Sequence, residues 1–190
     1  MSLNSSSRRE LPSFAQIRQL HQLHGTPQRV RRHERAVALT ALRLGRALVR
    51  NGRAVDLSLL VAAALTHDLR RTDGMGHDQT GARALREAGF PAPAKLVARH
   101  FELGRSPSVE AKLLYLADKM TSDHSLCTID ERERAMLAKI PPAAAQACRA
   151  RLDAARAVAD EFLRLTGKDA GEAAGRPSKR VRSKPSVGRS

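Results

Sequence analysis

The stretch AAALTHDLRRTDGMGHDQTGA, residues 62–82, decides how the rest of the chain is interpreted. It continues an apolar run that starts at Leu57, and the run predicts a buried helix that ends near Asp68. His67 immediately precedes Asp68, a polar loop follows, and His77 begins the next predicted helix. A carboxylate in apolar surroundings is costly unless it is paired or bound to a metal. The sequence therefore predicts polar chemistry at the inner end of a buried helix.

The rest of the sequence predicts helix after helix, and no segment alternates as a convincing strand would. Only 3% of the residues are aromatic, so alanine, leucine and valine must build the core. We predict an all-α bundle of about six to nine helices in one domain, residues 12–167, after a flexible start at residues 1–11. Thr26 is expected to cap the second helix, with Pro27 in its first turn. The other predicted helices span about 12–23, 77–88, 92–103, 107–120, 131–139 and 143–166.

The chain is strongly basic, with 34 Lys and Arg against 19 Asp and Glu and a formal net charge of +15. Taken alone, this charge indicates nucleic-acid binding. Residues 27–53 contribute +7 and residues 168–190 contribute +5. We expect the arginines of the first segment to form the solvated face of a helix, with a phosphate-attracting rim as the less favoured interpretation. The second segment is predicted to be a disordered basic tail without aromatic residues, which allows only nonspecific contact with nucleic acid.

The sequence predicts neither a membrane-spanning segment nor a signal peptide. The longest apolar stretch, residues 57–65, is too short to cross a bilayer, and the first 14 residues lack the apolar region of a signal peptide. The two cysteines, Cys127 and Cys148, form no Cys-x-x-Cys motif and suit a reducing compartment. We therefore expect a cytoplasmic protein that does not act at a membrane.

Histidines and aspartates form a series along the chain. Imidazole and carboxylate groups are ligands for manganese, iron, zinc and similar divalent ions. Each residue alone is as readily explained as a satisfied core side chain, and His21 and His24 are expected to be exposed or in loops. The order and spacing of the others are more specific, because six of them fall at or near the inner parts of predicted helices: His33, His67, Asp68, His77, His100 and Asp118.

This series resembles the HD-domain metal-dependent phosphohydrolases. The resemblance covers roughly residues 20–140 and rests on HERAVALTALRLGRAL at 33–48, the stretch 62–82, LVARHFEL at 96–103 and LLYLADKM at 113–120. The elements around His77 and His100 resemble the subgroup with two metals, which includes HD-type diadenosine tetraphosphate hydrolases. The segment YLADKMTSDHSLCTIDERERAML is also similar to HD domains associated with molybdenum-cofactor nucleotidyltransferase-like proteins.

The resemblance implies a ligand set and a reaction. Asp68 matches the carboxylate that bridges two ions, and His77 and His100 match the remaining ligands of the second ion. Two divalent ions, with Mn²⁺ or Fe²⁺ favoured over Mg²⁺, Co²⁺ or Zn²⁺, would activate a hydroxide for attack on phosphorus. Arg71 stands where many members have lysine, and we expect it to hold the phosphate. The residues that match the ligands defining the superfamily are His33, His67, Asp68 and Asp118.

Two functions follow from this resemblance. The first is a phosphohydrolase that cleaves a phosphoester or phosphoanhydride of a nucleotide or related small molecule. The alternative is a non-catalytic metal-binding HD module that regulates or binds a partner in molybdenum-cofactor nucleotidyl transfer. The complete set of six residues favours the enzyme. Lys119 follows Asp118 directly, and adjacent residues on a helix point about 100° apart. We therefore expect Lys119 to line the cleft or to pair with an acid elsewhere.

Overall fold

The computed structural model describes residues 11–176, and within them the fold is all-α, as predicted. Nine α-helices, one 3₁₀ turn and one short hairpin form the regular structure of this part of the chain. The helices are α1 (Phe14–Leu23), α2 (Gln28–Arg50), α3 (Leu57–Ala64), α4 (His77–Glu87), α5 (Pro91–Val97), α6 (Val109–Lys119), α7 (Ile129–Leu137), α8 (Pro142–Thr166) and α9 (Ala170–Ala173). The 3₁₀ turn spans Arg71–Asp73, and strands β1 and β2 span Thr121–Ser122 and Ser125–Leu126.

Helix α3 lies at the centre of the fold and packs against α2, α5 and α6. Its apolar residues leave almost no polar face, and Leu60 and Ala63 are fully buried. A Cβ atom on Gly45 of α2 would lie 2.6 Å from the Leu57 side chain. Glycine at this position therefore lets the two helices approach closely. The end of α3 is consequently fixed deep in the interior, where the polar residues that follow it must lie.

Helix α6 brings polar groups into the interior from the opposite direction. It begins at the N-cap Ser108, and all of its residues from Leu113 to Lys119 are buried. The Tyr115 hydroxyl donates to the Arg151 carbonyl oxygen at 2.7 Å and so ties α6 to α8. Burial raises the pKa of this hydroxyl well above its usual value, which keeps it a donor. The last turn of α6 thus ends beside the end of α3.

Two helices end earlier than the sequence predicts. Helix α3 stops at Ala64 instead of near Asp68, because the Thr66 hydroxyl donates to the carbonyl four residues earlier at 2.9 Å. Helix α5 stops at Val97, so that His100 lies in a turn beyond it and not near the end of a longer helix. In both places the backbone turns away, and the polar side chains point back toward the helix ends.

The start of α2 also differs from the prediction. The N-cap is Pro27, and the helix begins at Gln28. Thr26 does not cap it, because its buried hydroxyl donates to the Leu69 carbonyl oxygen at 2.9 Å. This hydrogen bond holds the chain before α2 against the segment that follows α3.

A small hairpin joins α6 to α7, where the sequence predicts no strand. Strands β1 and β2 pair antiparallel, with Thr121 opposite Leu126. Asp123 and His124 connect them, and Asp123 has φ +52°, a left-handed conformation that aspartate tolerates better than most residues. Strands of two residues are too short to give an alternating pattern, which is why the sequence did not indicate them.

Residues 168–176 correct the predicted boundary of the disordered tail, because they continue the fold as α9. The Asp169 side chain caps this helix, and Ala170 and Ala174 are buried. Arg43 on α2 donates to the Ala174 carbonyl oxygen at 2.7 Å. The short, alanine-rich segment has too few apolar residues to stand out from its basic surroundings in the sequence.

The rest of the predicted tail, residues 177–190, and residues 1–10 of the predicted flexible start lie outside the described residues. No helix between residues 11 and 176 combines the length and the apolar character needed to cross a membrane. Cys127 and Cys148 are both free thiols.

Candidate metal centre

The structure brings all six residues of the predicted series together in one cluster, which we call the inner cluster. Five of them are buried, and the sixth, His33, is partly buried. They come from separate elements that meet in the interior: His33 from α2, His67 and Asp68 from the turn after α3, His77 from the start of α4, His100 from the turn after α5, and Asp118 from the last turn of α6.

One half of the inner cluster consists of His33, His67 and Asp118, whose ligand atoms all lie within 4.8 Å of one another. His33 Nε2 lies 3.0 Å from Asp118 Oδ1, and His67 Nε2 lies 3.6 Å from the same oxygen. The other oxygen, Oδ2, accepts a hydrogen bond from Lys119 Nζ at 2.7 Å. Asp118 is therefore held on one side by lysine and presents its second oxygen to the two histidines.

Lys119 meets one of the two expectations stated for it. It is buried and lines a cavity beside the inner cluster, as predicted, and it pairs with the neighbouring Asp118 and not with an acid elsewhere. Its Nζ also donates to the His100 carbonyl oxygen at 3.1 Å and lies 4.6 Å from the centre of the Tyr115 ring. The flexible four-carbon side chain spans the angle between adjacent positions, which an argument from helix geometry alone does not include.

Asp68 forms the other half of the inner cluster. Its Oδ1 lies 3.1 Å from His77 Nε2 and 3.5 Å from His100 Nε2. Its Oδ2 lies 3.8 Å from His67 Nε2. The two oxygens thus face different histidines, which is the arrangement that a carboxylate bridging two ions requires.

The four histidines are held by the same kind of hydrogen bond, from ring Nδ1 to a backbone carbonyl oxygen at 2.7–2.9 Å. A carbonyl oxygen can only accept, so the proton is on Nδ1 and Nε2 is the atom turned toward the inner cluster. Metal-binding histidines are held through their second ring nitrogen in this way. The carbonyl groups belong to Asp123 for His33, Ala64 for His67, Gly74 for His77 and Val97 for His100.

The Nε2 atoms therefore present lone pairs to a common space. The Nε2 atoms of His77 and His100 are 3.2 Å apart. His67 Nε2 is buried and has no hydrogen-bond partner among the described residues. Lys119 and Arg71 donate to two of these groups, Asp118 and His77. The remaining lone pairs and carboxylate oxygens face one another and repel, and a bound cation removes this repulsion. With imidazole and carboxylate donors, the residues present fit a divalent metal ion.

The pKa values of the inner cluster also indicate that the cluster is stabilised by positive charge. Burial lowers the pKa of His67, but the carboxylates of Asp68 and Asp118 outweigh burial and raise it to about 9. Burial raises the pKa of Asp68, yet His67 and His100 bring it well below its usual range. The pKa of Asp118 is also well below its usual range, because the cations around it, Lys119 first, outweigh its burial. Without a metal, a proton on His67 supplies the missing charge.

Glu34, which is not among the predicted site residues, supports the inner cluster. It is fully buried, and its Oε1 accepts the Asp68 backbone N–H at 3.2 Å. Its Oε2 lies 2.9 Å from Nε2 of His21, which is buried and not exposed as predicted. Burial raises the pKa of Glu34. The signal in the sequence was a carboxylate directly after His33 in a helix whose other charged residues are arginines.

A cavity of about 400 Å³, which we call the outer cavity, opens beside the inner cluster. His33 and Asp68 line it, together with Arg29, Arg32, Arg71 and Arg132. A smaller cavity of about 70 Å³ borders the deeper side chains of the cluster and is also lined by His33, Asp68, Arg71 and Arg132. The outer cavity therefore leads directly to the inner cluster.

Arg71 lies between the two regions. Its NH1 donates to His77 Nε2 at 3.0 Å, and its Nε lies 3.9 Å from Asp68 Oδ2. The side chain is nevertheless 48% exposed, so that the guanidinium group contacts the cluster and faces the outer cavity. The role of holding a phosphate stays a prediction for Arg71.

The arginines of α2 are mostly exposed, as the sequence predicts, and two of them, Arg29 and Arg32, also line the outer cavity. Arg29 precedes His33 by four residues and therefore shares its face of the helix. That spacing was the available signal, and the abundance of arginine in this helix concealed it. His124 lines the same cavity from the hairpin.

A family model described as the HD domain matches residues 30–123. The matched segment contains all six residues of the inner cluster together with Arg71, whereas Arg29 and Arg132 lie outside it. No curated protein and no solved structure matches the chain.

Proposed function

We propose that the chain is a metal-dependent phosphohydrolase of the HD-domain superfamily, whose family model matches residues 30–123. It cleaves a phosphoester or phosphoanhydride bond in a nucleotide or related small molecule. The observation that carries this proposal is the convergence of four histidine Nε2 atoms and two carboxylates. Each histidine is held from outside through Nδ1, and Lys119 holds Asp118.

We propose two ions in the inner cluster. One would be held by His33, His67 and Asp118, and the second by Asp68 and His100, which converge with His67, together with His77. When bound, a divalent ion supplies positive charge to the phosphoryl oxygens and lowers the pKa of the attacking water. Nitrogen and oxygen donors together favour Mn²⁺ or Fe²⁺.

The protein's own residues then have separate tasks. The Nδ1 hydrogen bonds fix the direction of each imidazole, so that little reorganisation remains when a substrate arrives. Arg71 offers two parallel N–H groups to a phosphate, a geometry that lysine cannot provide. Lys119 holds Asp118 in place from the buried side. Phosphoryl transfer needs mainly such positioning and charge stabilisation.

The test is metal content and phosphate release of the purified protein. We expect about two metal ions per chain after loading with Mn²⁺ under reducing conditions, and release of phosphate from a panel of nucleotides and p-nitrophenyl phosphate. His67→Ala should lose bound metal and activity together. His24→Ala is the matched control, because His24 contacts Arg70 and lines neither cavity. Full metal content and full activity in His67→Ala would overturn the proposal.

The same measurements distinguish a regulatory HD module from an enzyme. Such a module would bind the metal in the wild-type chain and lose it in His67→Ala. It would release no phosphate from any substrate of the panel. Metal binding without turnover would therefore replace the proposed activity by the regulatory function.

A further inference from the structure

We infer that the outer cavity selects substrates with two or more phosphates in a row and recognises them through the phosphates, not through a base. This inference rests on the proposed phosphohydrolase function and specifies its substrate class. The residues that carry it are Arg29, Arg32 and Arg132, which are separate from the inner cluster.

These three arginines have no acidic partner within residues 11–176. Two arginines of α8 do pair with acids: Arg156 contacts three carboxylates, and Arg151 donates to Glu102 at 3.0 Å. No comparable contact exists for Arg29, Arg32 or Arg132 among the described residues. Four arginines, Arg71 among them, line the outer cavity against two carboxylates, those of Asp68 and Asp123. The excess of positive charge repels itself, and an anionic ligand removes that cost.

Arg132 adds a second observation. Its Nε atom is buried and has no hydrogen-bond partner among the described residues, while its side chain lines both cavities. A buried N–H group without an acceptor is unusual in a folded protein. A phosphate oxygen in the cavity is a suitable acceptor, because charge-assisted hydrogen bonds to guanidinium are among the strong ones. Arg132 therefore connects the site of the reacting phosphate with the outer cavity.

The arrangement along α2 provides for more than one phosphate. Arg29 and Arg32 are three residues apart and lie on one face of the first turns of the helix. Arg71 already contacts His77 and Asp68 of the inner cluster and serves the reacting phosphate. A monophosphate at the cluster would leave the two α2 arginines without an anion, whereas a chain of phosphates supplies one to each region.

The outer cavity offers little to a nucleobase. Among residues 11–176, no Phe, Tyr or Trp lines it, and its only ring side chains are those of His33 and His124. Phe101 lines the smaller cavity, and the Arg151 guanidinium lies over its ring at 4.5 Å from the ring centre. Stacking on an aromatic side chain is the usual way to bind a base without reading its sequence. Recognition therefore depends on the phosphate chain, and the volume of about 400 Å³ suits a small ligand.

The reaction on such a substrate is hydrolysis of the terminal phosphoanhydride. The oxygen of water forms a bond to the terminal phosphorus, and the bond from that phosphorus to the bridging oxygen breaks. The shortened phosphate chain leaves with the bridging oxygen. Both protons of water are distributed between the two phosphate products and solvent.

The activity test compares four substrates on the Mn²⁺-loaded full chain: tripolyphosphate, ATP, CTP and p-nitrophenyl phosphate. We expect kcat/KM for the first three to exceed that for the monoester by about ten-fold or more. ATP and CTP should agree within about two-fold, because no group reads the base. Preference for the monoester, or a strong preference between ATP and CTP, would refute the inference while leaving the proposed function intact. If no substrate is hydrolysed, the proposed function fails.

The arginines are tested by Arg29→Gln/Arg32→Gln and by Arg132→Gln. Each variant should lower the ratio of kcat/KM for tripolyphosphate to that for p-nitrophenyl phosphate by about ten-fold, mainly through KM. Arg50→Gln is the matched control: it removes the same charge from an exposed position of the same helix, about 27 Å from Arg32 along the axis. An equal fall of this ratio in Arg50→Gln would contradict the inference, because it would show that net charge, and not the position of the arginines, causes the effect.

A binding measurement makes the inference independent of turnover. Calorimetric titration of the metal-free protein should give a Kd for tripolyphosphate about ten-fold lower than for orthophosphate. Arg29→Gln/Arg32→Gln should abolish this difference, and circular dichroism should show that the variant remains folded. Equal affinity for both anions in the wild-type protein would contradict the inference, whatever the activity.

Discussion

The inner cluster and the outer cavity adjoin each other, but they are built on opposite principles. In the inner cluster nearly every polar group is buried and held by a fixed partner, down to the Nδ1 proton of each histidine. In the outer cavity the arginines Arg29 and Arg32 are exposed and have no fixed partner among the described residues. A rigid cluster suits the chemistry of a reacting phosphate, while long free side chains suit recognition by charge. The following experiments test this division of tasks.

The largest effect is expected for Asp68→Asn. The substitution keeps the shape of the side chain but removes the charge that faces three histidines, so we expect activity to fall by about 10³-fold or more. Metal content should fall as well. Asp160→Asn, an exposed change on α8, serves as the control. Retention of near wild-type activity in Asp68→Asn would show that the inner cluster is not the reactive region.

Metal binding should stabilise the fold, because the cluster collects lone pairs and carboxylates in the interior. At a free metal concentration of about 100 Kd, binding contributes about 2.7 kcal/mol. For a chain of this length the midpoint of thermal unfolding should rise by about 5–10 °C. Calorimetry with Mn²⁺ and with a chelator measures the difference, and His67→Ala should show none. An equal rise in His67→Ala would place the metal elsewhere.

Glu34→Leu tests whether the inner cluster depends on its support. The change leaves the Asp68 backbone N–H and the His21 ring without their buried partner, and we expect a loss of about 1–3 kcal/mol in the free energy of unfolding. Glu34→Gln retains an acceptor for the N–H and should lose less. Urea denaturation measures both, with the exposed Glu87→Gln as control. If Glu34→Leu is as stable as Glu87→Gln, the buried contacts do not support the cluster.

The smallest effect is expected from salt, which should weaken substrate binding in the outer cavity but not metal binding in the inner cluster. Charges exposed to solvent are screened by ions, whereas buried groups are screened much less. Raising NaCl from about 0.05 M to about 0.5 M should therefore raise KM for tripolyphosphate about five-fold, and metal content should not change. A KM that is independent of salt would indicate that the arginines of the outer cavity do not contact the substrate.

The all-α fold and the six residues of the inner cluster were predicted from the sequence, because both depend on patterns among residues that are close together in the chain. Helical periodicity marks the apolar stripes, and His67-Asp68 stands at the end of a helix that has almost no polar face. The ends of α3 and α5 were not predictable in the same way. They depend on side-chain hydrogen bonds such as that of Thr66, which compete with the backbone by small margins.

The outer cavity escaped prediction for a different reason. Arg29 and Arg32 are two among eight arginines between residues 27 and 53, and the sequence does not say which of them another element covers. Arg132 lies about 100 residues farther along the chain, so only the tertiary structure brings it to α2. The pair of Lys119 with the adjacent Asp118 was not predicted, because the reach of the lysine side chain exceeds the spacing of Cβ atoms.

The anchors of the four histidines differ in one respect that bears on how the site is assembled. His67, His77 and His100 each donate to a carbonyl three residues earlier, so one local turn is enough to aim each ring. His33 instead donates to Asp123, 90 residues away, across the hairpin. During folding, three rings can be oriented while the chain is still open, and the fourth is oriented only when α2 and the hairpin meet. The Nδ1 proton of His33 is therefore a marker, in nuclear magnetic resonance, for the completed tertiary structure.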